Sequence, residues 1–177
     1  VYYSGHGMPD VADNGNQDIY LFPYDARKEL VIPAVEPDEV YARRWQNMPF
    51  RGKLFNDNTP GFMTDKGERV RSKSEKIMAD YFYRNGIEYK YECPLYLTSI
   101  GTIYPDFTFL SSKTGEEIYW EHNGKVDDPG YARKMVRKIN AYENNGIFPG
   151  ERLILTYETE QTILNTGKIK QLVERYL

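Results

Sequence analysis

The chain has 177 residues, 40% apolar and 28% charged, enough for one domain with a sizeable core and an appendage. A net charge of -3 excludes a uniformly basic nucleic-acid coat, so any nucleic-acid binding must rest on a local cluster. Cys93 is the single cysteine, which excludes an intramolecular disulfide and suits a reducing compartment.

Residues 1–27 read as strand, Gly-rich loop, polar loop and strand: VYYSGHG, MPDVADNGNQ and DIYLFPYDA. The chain opens at Val1 inside that first strand without an initiator methionine, which suggests a truncation. Residues 28–66 carry Pro33, Pro37, Pro49 and Pro60 among Asn, Asp and Gly, a composition that predicts an irregular linker with one short helix near PDEVYARRWQ.

From Gly67 onward the signals become regular. ERVRSKSEKIMADYFYRNG places Val70, Ile77, Met78, Tyr81 and Phe82 on one helical face, with Gly86 as the stop. Three strands follow in IEYKYECPLYL, GTIYPDFTFL and EEIYWEH, the last after the turn SSKTGE. A helix then runs through Ala132, Met135, Val136, Ile139 and Tyr142, opened by Asp128 and Pro129 as N-cap and first-turn proline and ended by Gly146. ERLILTYE reads as a buried strand and GKIKQLVERYL as a closing amphipathic helix. The predicted order from Gly67 is α-β-β-β-α-β-α, an α/β protein with helices flanking a mixed sheet. No 18-residue apolar run and no signal-peptide pattern occurs, so the expectation is a cytoplasmic protein with no membrane partner.

Side chains alternate across a strand, so parity assigns faces. Asp106 and Thr108 share one face while Phe107 and Phe109 share the other; Tyr119, Glu121 and Asn123 oppose Ile118, Trp120 and His122. Strands paired through the SSKTGE turn can project Asp106 and Glu121 from the same side. Two carboxylates so placed repel each other unless a cation lies between them or one holds a proton. Oxygen-only ligation suits Mg²⁺ or Mn²⁺, and such an ion, open to water, serves phosphodiester hydrolysis. His122, of opposite parity, reads as a packed, hydrogen-bonded core histidine. Cys93 reads as a small buried apolar residue. The basic stripes Arg69, Arg71, Lys73, Lys76 and Arg133, Lys134, Arg137, Lys138 are each either a phosphate contact or a solvated helix face.

YPDF and YWEHNGK resemble the PD-(D/E)XK, or restriction-endonuclease-like, nuclease superfamily over residues of about 64–177. The wider stretch is similar to an uncharacterised bacterial branch in which Glu-His-x-Gly replaces Glu-x-Lys. The resemblance implies a Mg²⁺-dependent nuclease cutting DNA through metal-activated water and compatible with a homodimer. It implies Asp106 and Glu121 as metal ligands, the backbone carbonyl of His122 as a third oxygen, and Glu75 as the acidic residue of the first helix. Asn123 stands where the family places its catalytic lysine; Lys125, Lys134 and Lys73 are the substitutes, Lys125 preferred. Loss of that lysine also leaves open a catalytically degraded module that binds nucleic acid or a protein. Residues 1–27 resemble a fragment of a caspase-like peptidase, with His6 as the base, but no cysteine other than Cys93 could serve as its nucleophile. The expected division is therefore a fusion fragment or remnant at 1–27, a linker at 28–66 and a nuclease-like domain at 67–177.

Overall fold

The computed structural model describes residues 38–56 and 61–177. The expectations for residues 1–27, His6 included, lie outside the described residues. The chain divides into two compact units, Val1–Arg44 and Trp45–Leu177. Only residues 38–44 of the first are described, and they begin helix α1 (Asp38–Asn47) with Asp38 and Glu39 in its first turn, where the helix dipole favours negative charge. The second unit holds everything that follows.

Its elements are β1 (Phe62–Met63), β2 (Arg69–Val70), α2 (Lys73–Arg84), β3 (Lys90–Tyr91), β4 (Leu95–Leu97), β5 (Gly101–Ile103), β6 (Phe107–Leu110), β7 (Glu117–Asn123), α3 (Pro129–Glu143), β8 (Leu153–Tyr157) and α4 (Thr166–Tyr176). This is a mixed α/β arrangement. The principal sheet has the order β3-β6-β7-β8, antiparallel except for the parallel pair β7–β8.

Two of the three strands expected between the helices are each broken in two, and proline is the reason. Pro94 and Pro105 lack a backbone N–H and bias the residue before them, so neither IEYKYECPLYL nor GTIYPDFTFL can run on as one ladder. The pieces between the breaks, β4 and β5, pair with each other as a separate hairpin. At the first break Glu92 adopts a positive φ of 47°. The Arg71 guanidinium grips its carboxylate, Nε to Oε1 at 2.7 Å and Nη2 to Oε2 at 3.0 Å, and also donates to the Lys53 and Leu54 carbonyls. A strained, buried turn and the irregular 50s segment are thereby held by one side chain.

α2 begins at Ser72, whose hydroxyl accepts the Glu75 N–H at 3.1 Å. Glu75 reaches back to the Arg71 N–H at 2.8 Å, one residue further than an ordinary capping box. Gly86, at φ 65°, ends the helix in the left-handed conformation that glycine adopts without cost.

The sheet buries both faces. On one, Phe107, Phe109, Ile118, Trp120 and Ile154 pack against Met78 and Phe82 of α2 and Ile169 of α4. The Phe82 ring lies 5.0 Å from Phe109 and 5.4 Å from Trp120, so its truncation to alanine would cost about 3–5 kcal/mol. On the other face, Tyr119 and Leu153 pack against Ala141 and Tyr142 of α3 and Leu97 of the hairpin. Trp45 is also buried, its Nε1 donating to Glu117 at 2.7 Å while the Lys90 ammonium lies 4.2 Å from its ring centre. Among the described residues no helix is long and apolar enough to cross a membrane.

Candidate functional site

The β6–β7 ladder stops at Phe107↔Trp120. One residue earlier the chain has just left Pro105, and it is the Asp106 side chain, not a strand carbonyl, that accepts the next amide: His122 N–H donates to Asp106 Oδ2 at 2.6 Å. The carboxylate therefore caps the end of a ladder, with Oδ1 left for other work. Glu121 lies one residue away in β7, on the Tyr119 face of the sheet.

Helix α3 supplies Glu121 with its partners. The Tyr142 hydroxyl donates to Oε1 at 2.6 Å, and the Lys138 ammonium sits 2.6 Å from Oε1 and 2.7 Å from Oε2. Lys138 and Tyr142 are four residues apart and so lie on one helical face. Glu121 is 6% exposed; the Lys138 side chain keeps about a third of its surface open. Burial and the adjacent Glu121 carboxylate push Asp106 well above the ordinary carboxylate range, with Glu75 adding to this and Lys138 and the His122 amide opposing it. Tyr131, in the first turn of α3, has its phenol raised by burial first and then by the negative charge of Asp106, with Glu121 and Glu75 adding to this and a hydrogen bond from the Gly124 backbone opposing it.

Three carboxylates thus act on one another with one ammonium among them. Their donor atoms are all hard oxygens, which in chemistry and in surplus charge fits Mg²⁺ or Mn²⁺. Among the described residues, however, no three His, Cys, Asp or Glu side chains are gathered closely enough to hold a metal ion. Lys138 is where the geometry closes: it covers both oxygens of Glu121.

The remaining candidates have these positions. Glu75 gives Oε2 to the Arg71 N–H and to the Tyr91 hydroxyl, at 2.6 Å, so one of its oxygens is spent on the start of α2 while its charge is felt at Asp106. Lys125 is exposed in the turn at 124–127 and forms no ion pair among the described residues. Asn123 is buried, its amide 3.4 Å from the Thr156 carbonyl. The His122 ring lies across the sheet from Glu121, 3.0 Å from Thr156 Oγ1 through Nδ1 and 3.1 Å from Glu158 Oε2 through Nε2. Trp120 donates to the same threonine at 3.0 Å, so the Thr156 hydrogen is free for Nδ1, and a ring protonated at Nε2 satisfies Glu158. Ser74 and the Leu164 N–H complete the Glu158 carboxylate at 2.7 and 2.6 Å. Cys93 is half-buried, and burial raises its thiol.

Tyr142 and Tyr131 are absent from the sequence-based candidate set, and Lys138 stands there only as one of four cations in a basic stripe, not as a partner of Glu121. A signal for them existed: residues 131, 135, 138 and 142 follow helical spacing through the apolar face that contains Met135 and Tyr142, so Lys138 interrupts an inward stripe.

No protein-family model matches the chain. No solved structure matches it either. An uncharacterised protein of Methanocaldococcus jannaschii, MJ1519, is 37% identical over 86 residues, 48% of this chain. The match spans 7% of that protein's length.

Proposed function

We propose that residues 67–177 form a metal-dependent nuclease of the restriction-endonuclease-like kind, hydrolysing phosphodiester bonds in DNA. The observation that carries this reading is the convergence of an aspartate just before β6, a glutamate on β7 and a lysine from α3 at one end of the two central strands of the sheet. Asp106 and Glu121 would hold the ion, which when bound supplies a hydroxide near neutral pH and neutralises phosphate charge. Tyr142 fixes the Glu121 carboxylate from behind. Lys138 takes the part for which Lys125 was preferred: its ammonium, once released from one Glu121 oxygen, donates to the attacking water or to a non-bridging phosphate oxygen. Glu75 contributes negative charge at the site and orders the start of α2.

The test is nicking of supercoiled plasmid by the intact chain in Mg²⁺, Mn²⁺ and EDTA, alongside Glu121→Gln. EDTA-sensitive nicking that Glu121→Gln abolishes is expected. Wild-type protein inert in both metals, or nicking unchanged by the substitution, would sink the assignment. A second reading, a nuclease-like module that binds without cutting, draws on the engagement of both Glu121 oxygens by Lys138. It predicts DNA binding with no nicking in either metal.

A further inference from the structure

The two basic stripes differ in one respect that bears on the substrate. Around α2 two of the four charges are neutralised, both guanidinium and ammonium being held in place: Arg71 by Glu92, and Lys76 by Asp80 at 2.6 Å. On α3 only Lys138 is spoken for; Arg133, Lys134 and Arg137 are exposed and form no ion pair among the described residues. Unpaired guanidiniums are the groups that meet phosphate, through a planar fork of donors.

Arg133 and Arg137 border a cleft of about 480 Å³ between the outer flank of α3 and the β4–β5 turn. Val136 and Ile100 line the same cleft and are 50% and 40% exposed, and Asn140 and Asn144 add side-chain amides. The walls are fixed to each other. Thr98 donates through its backbone N–H and its hydroxyl to Asn145 Oδ1, both at 3.1 Å, and Leu97 is buried in the cluster that holds Tyr142. The size is that of a small-ligand pocket, matched to a single nucleotide unit. Two cations beside an apolar floor with amide donors and acceptors match a phosphate joined to a flat, hydrogen-bonding base. They match an acidic peptide less well, since it would leave the apolar floor uncovered. The cleft and the candidate site share α3, with Arg137 next in sequence to Lys138.

We infer that this cleft seats one nucleotide of an unpaired nucleic-acid strand, with its phosphate on Arg133 and Arg137 and its base on Val136 and Ile100. The inference takes from the nuclease reading the reason for a strand to lie across α3, and it names the form of substrate: single-stranded, or opened locally. Base contact with apolar side chains is tolerant of sequence, so weak sequence preference is part of the claim.

Its test is read with metal chelated, so it is separate from cleavage. A fluorescein-labelled 12-nucleotide DNA strand is titrated with the intact chain in EDTA, following anisotropy at several salt concentrations. Expected are binding tighter than to the matched duplex, and a loss of about tenfold or more in Arg133→Ala/Arg137→Ala. Loss of two phosphate contacts should also make the slope of log K on log salt shallower by about 1.4. Ile100→Ser/Val136→Ser should weaken binding with the slope unchanged. Arg175→Ala, on α4, should bind like wild type. Equal affinity for duplex, unaltered binding by the arginine pair variant, an equal loss in Arg175→Ala, or displacement by oligoglutamate as readily as by unlabelled strand would each overturn it. Binding that behaves as expected beside a plasmid that is never nicked would sink the nuclease reading and leave this one standing.

Discussion

Glu121 and His122 are adjacent in β7 and face opposite ways, and the two sides of the strand are built on opposite terms. On the His122 side every polar group has a partner: Trp120, Thr156, His122, Glu158, Ser74 and the Leu164 amide form a closed circuit between the sheet, α2 and the segment before α4. Burial pushes Glu158 upward, yet the bonds from Ser74, Leu164 and His122 outweigh it and hold the carboxylate below its usual value. On the Glu121 side the balance runs the other way, and burial with neighbouring negative charge raises Asp106. One side stabilises the fold; the other holds surplus charge that a ligand could relieve. That contrast, more than any single residue, is the reason the proposed nuclease site is put on the Glu121 side.

Substitutions can break this contrast, and the largest effect should fall on activity. Glu121→Gln keeps an acceptor for Tyr142 and removes the charge; plasmid nicking in Mn²⁺ should fall by about a thousandfold, with a circular-dichroism spectrum like wild type. Next comes Lys138→Met, expected to lower nicking by about a hundredfold, roughly the effect of removing one preorganised donor. Lys125→Ala measured beside it should stay within about twofold, and the reverse ranking would return the role to the turn lysine. Because Lys138→Met also leaves Glu121 buried without its cation, its melting temperature should drop as well.

The opposite side should answer in stability alone. Glu158→Ala strips partners from Ser74, His122 and the Leu164 amide and should cost about 2–3 kcal/mol, a fall of about 5–10 °C in melting temperature. Activity per folded molecule should be retained. The Glu158 contribution is present above its unfolded pKa and is lost as pH falls through its lowered folded value, so the gap between variant and wild type should narrow in acid. The smallest effect is the most diagnostic. A raised Asp106 favours the fold while protonated and loses that advantage as pH rises through its folded value. Asp106→Asn keeps an acceptor for the His122 amide and removes the charge. It should therefore melt higher than wild type by about 2–4 °C in EDTA at pH 8, with no gain at pH 4. A variant less stable at both pH values would show the carboxylate to be structural.

How far the sequence discloses this arrangement depends on the range of the interaction. Strand parity places His122 across the sheet from Glu121, because alternation is a property of the strand itself. The Asp128–Pro129 start of α3 is equally local, and Asp128 Oδ1 accepts the Tyr131 N–H at 2.6 Å. The prolines that divide two expected strands are equally visible, but their apolar β-forming neighbours suggest continuity. Lys138 was out of reach for a different reason. Seventeen residues separate it from Glu121, and only the packing of α3 on β7 brings them together. Read along the chain, it is one of four basic residues on a helix; which of them turns inward is decided by Met135 and Tyr142 on either side. Trp45 is similar: it lies in a stretch that reads as linker, yet its indole is buried against Glu117 and Lys90.

A cation delivered to β7 by a helix, and not by the strand that bears the glutamate, uncouples two things that a linear motif keeps together. The 124–128 connection could lengthen, shorten or change composition from one descendant to the next without disturbing the pair, provided α3 docks in the same rotation. Pattern searches along the chain would lose such descendants, while a three-dimensional template of Asp106, Glu121, Lys138 and Tyr142 would gather them.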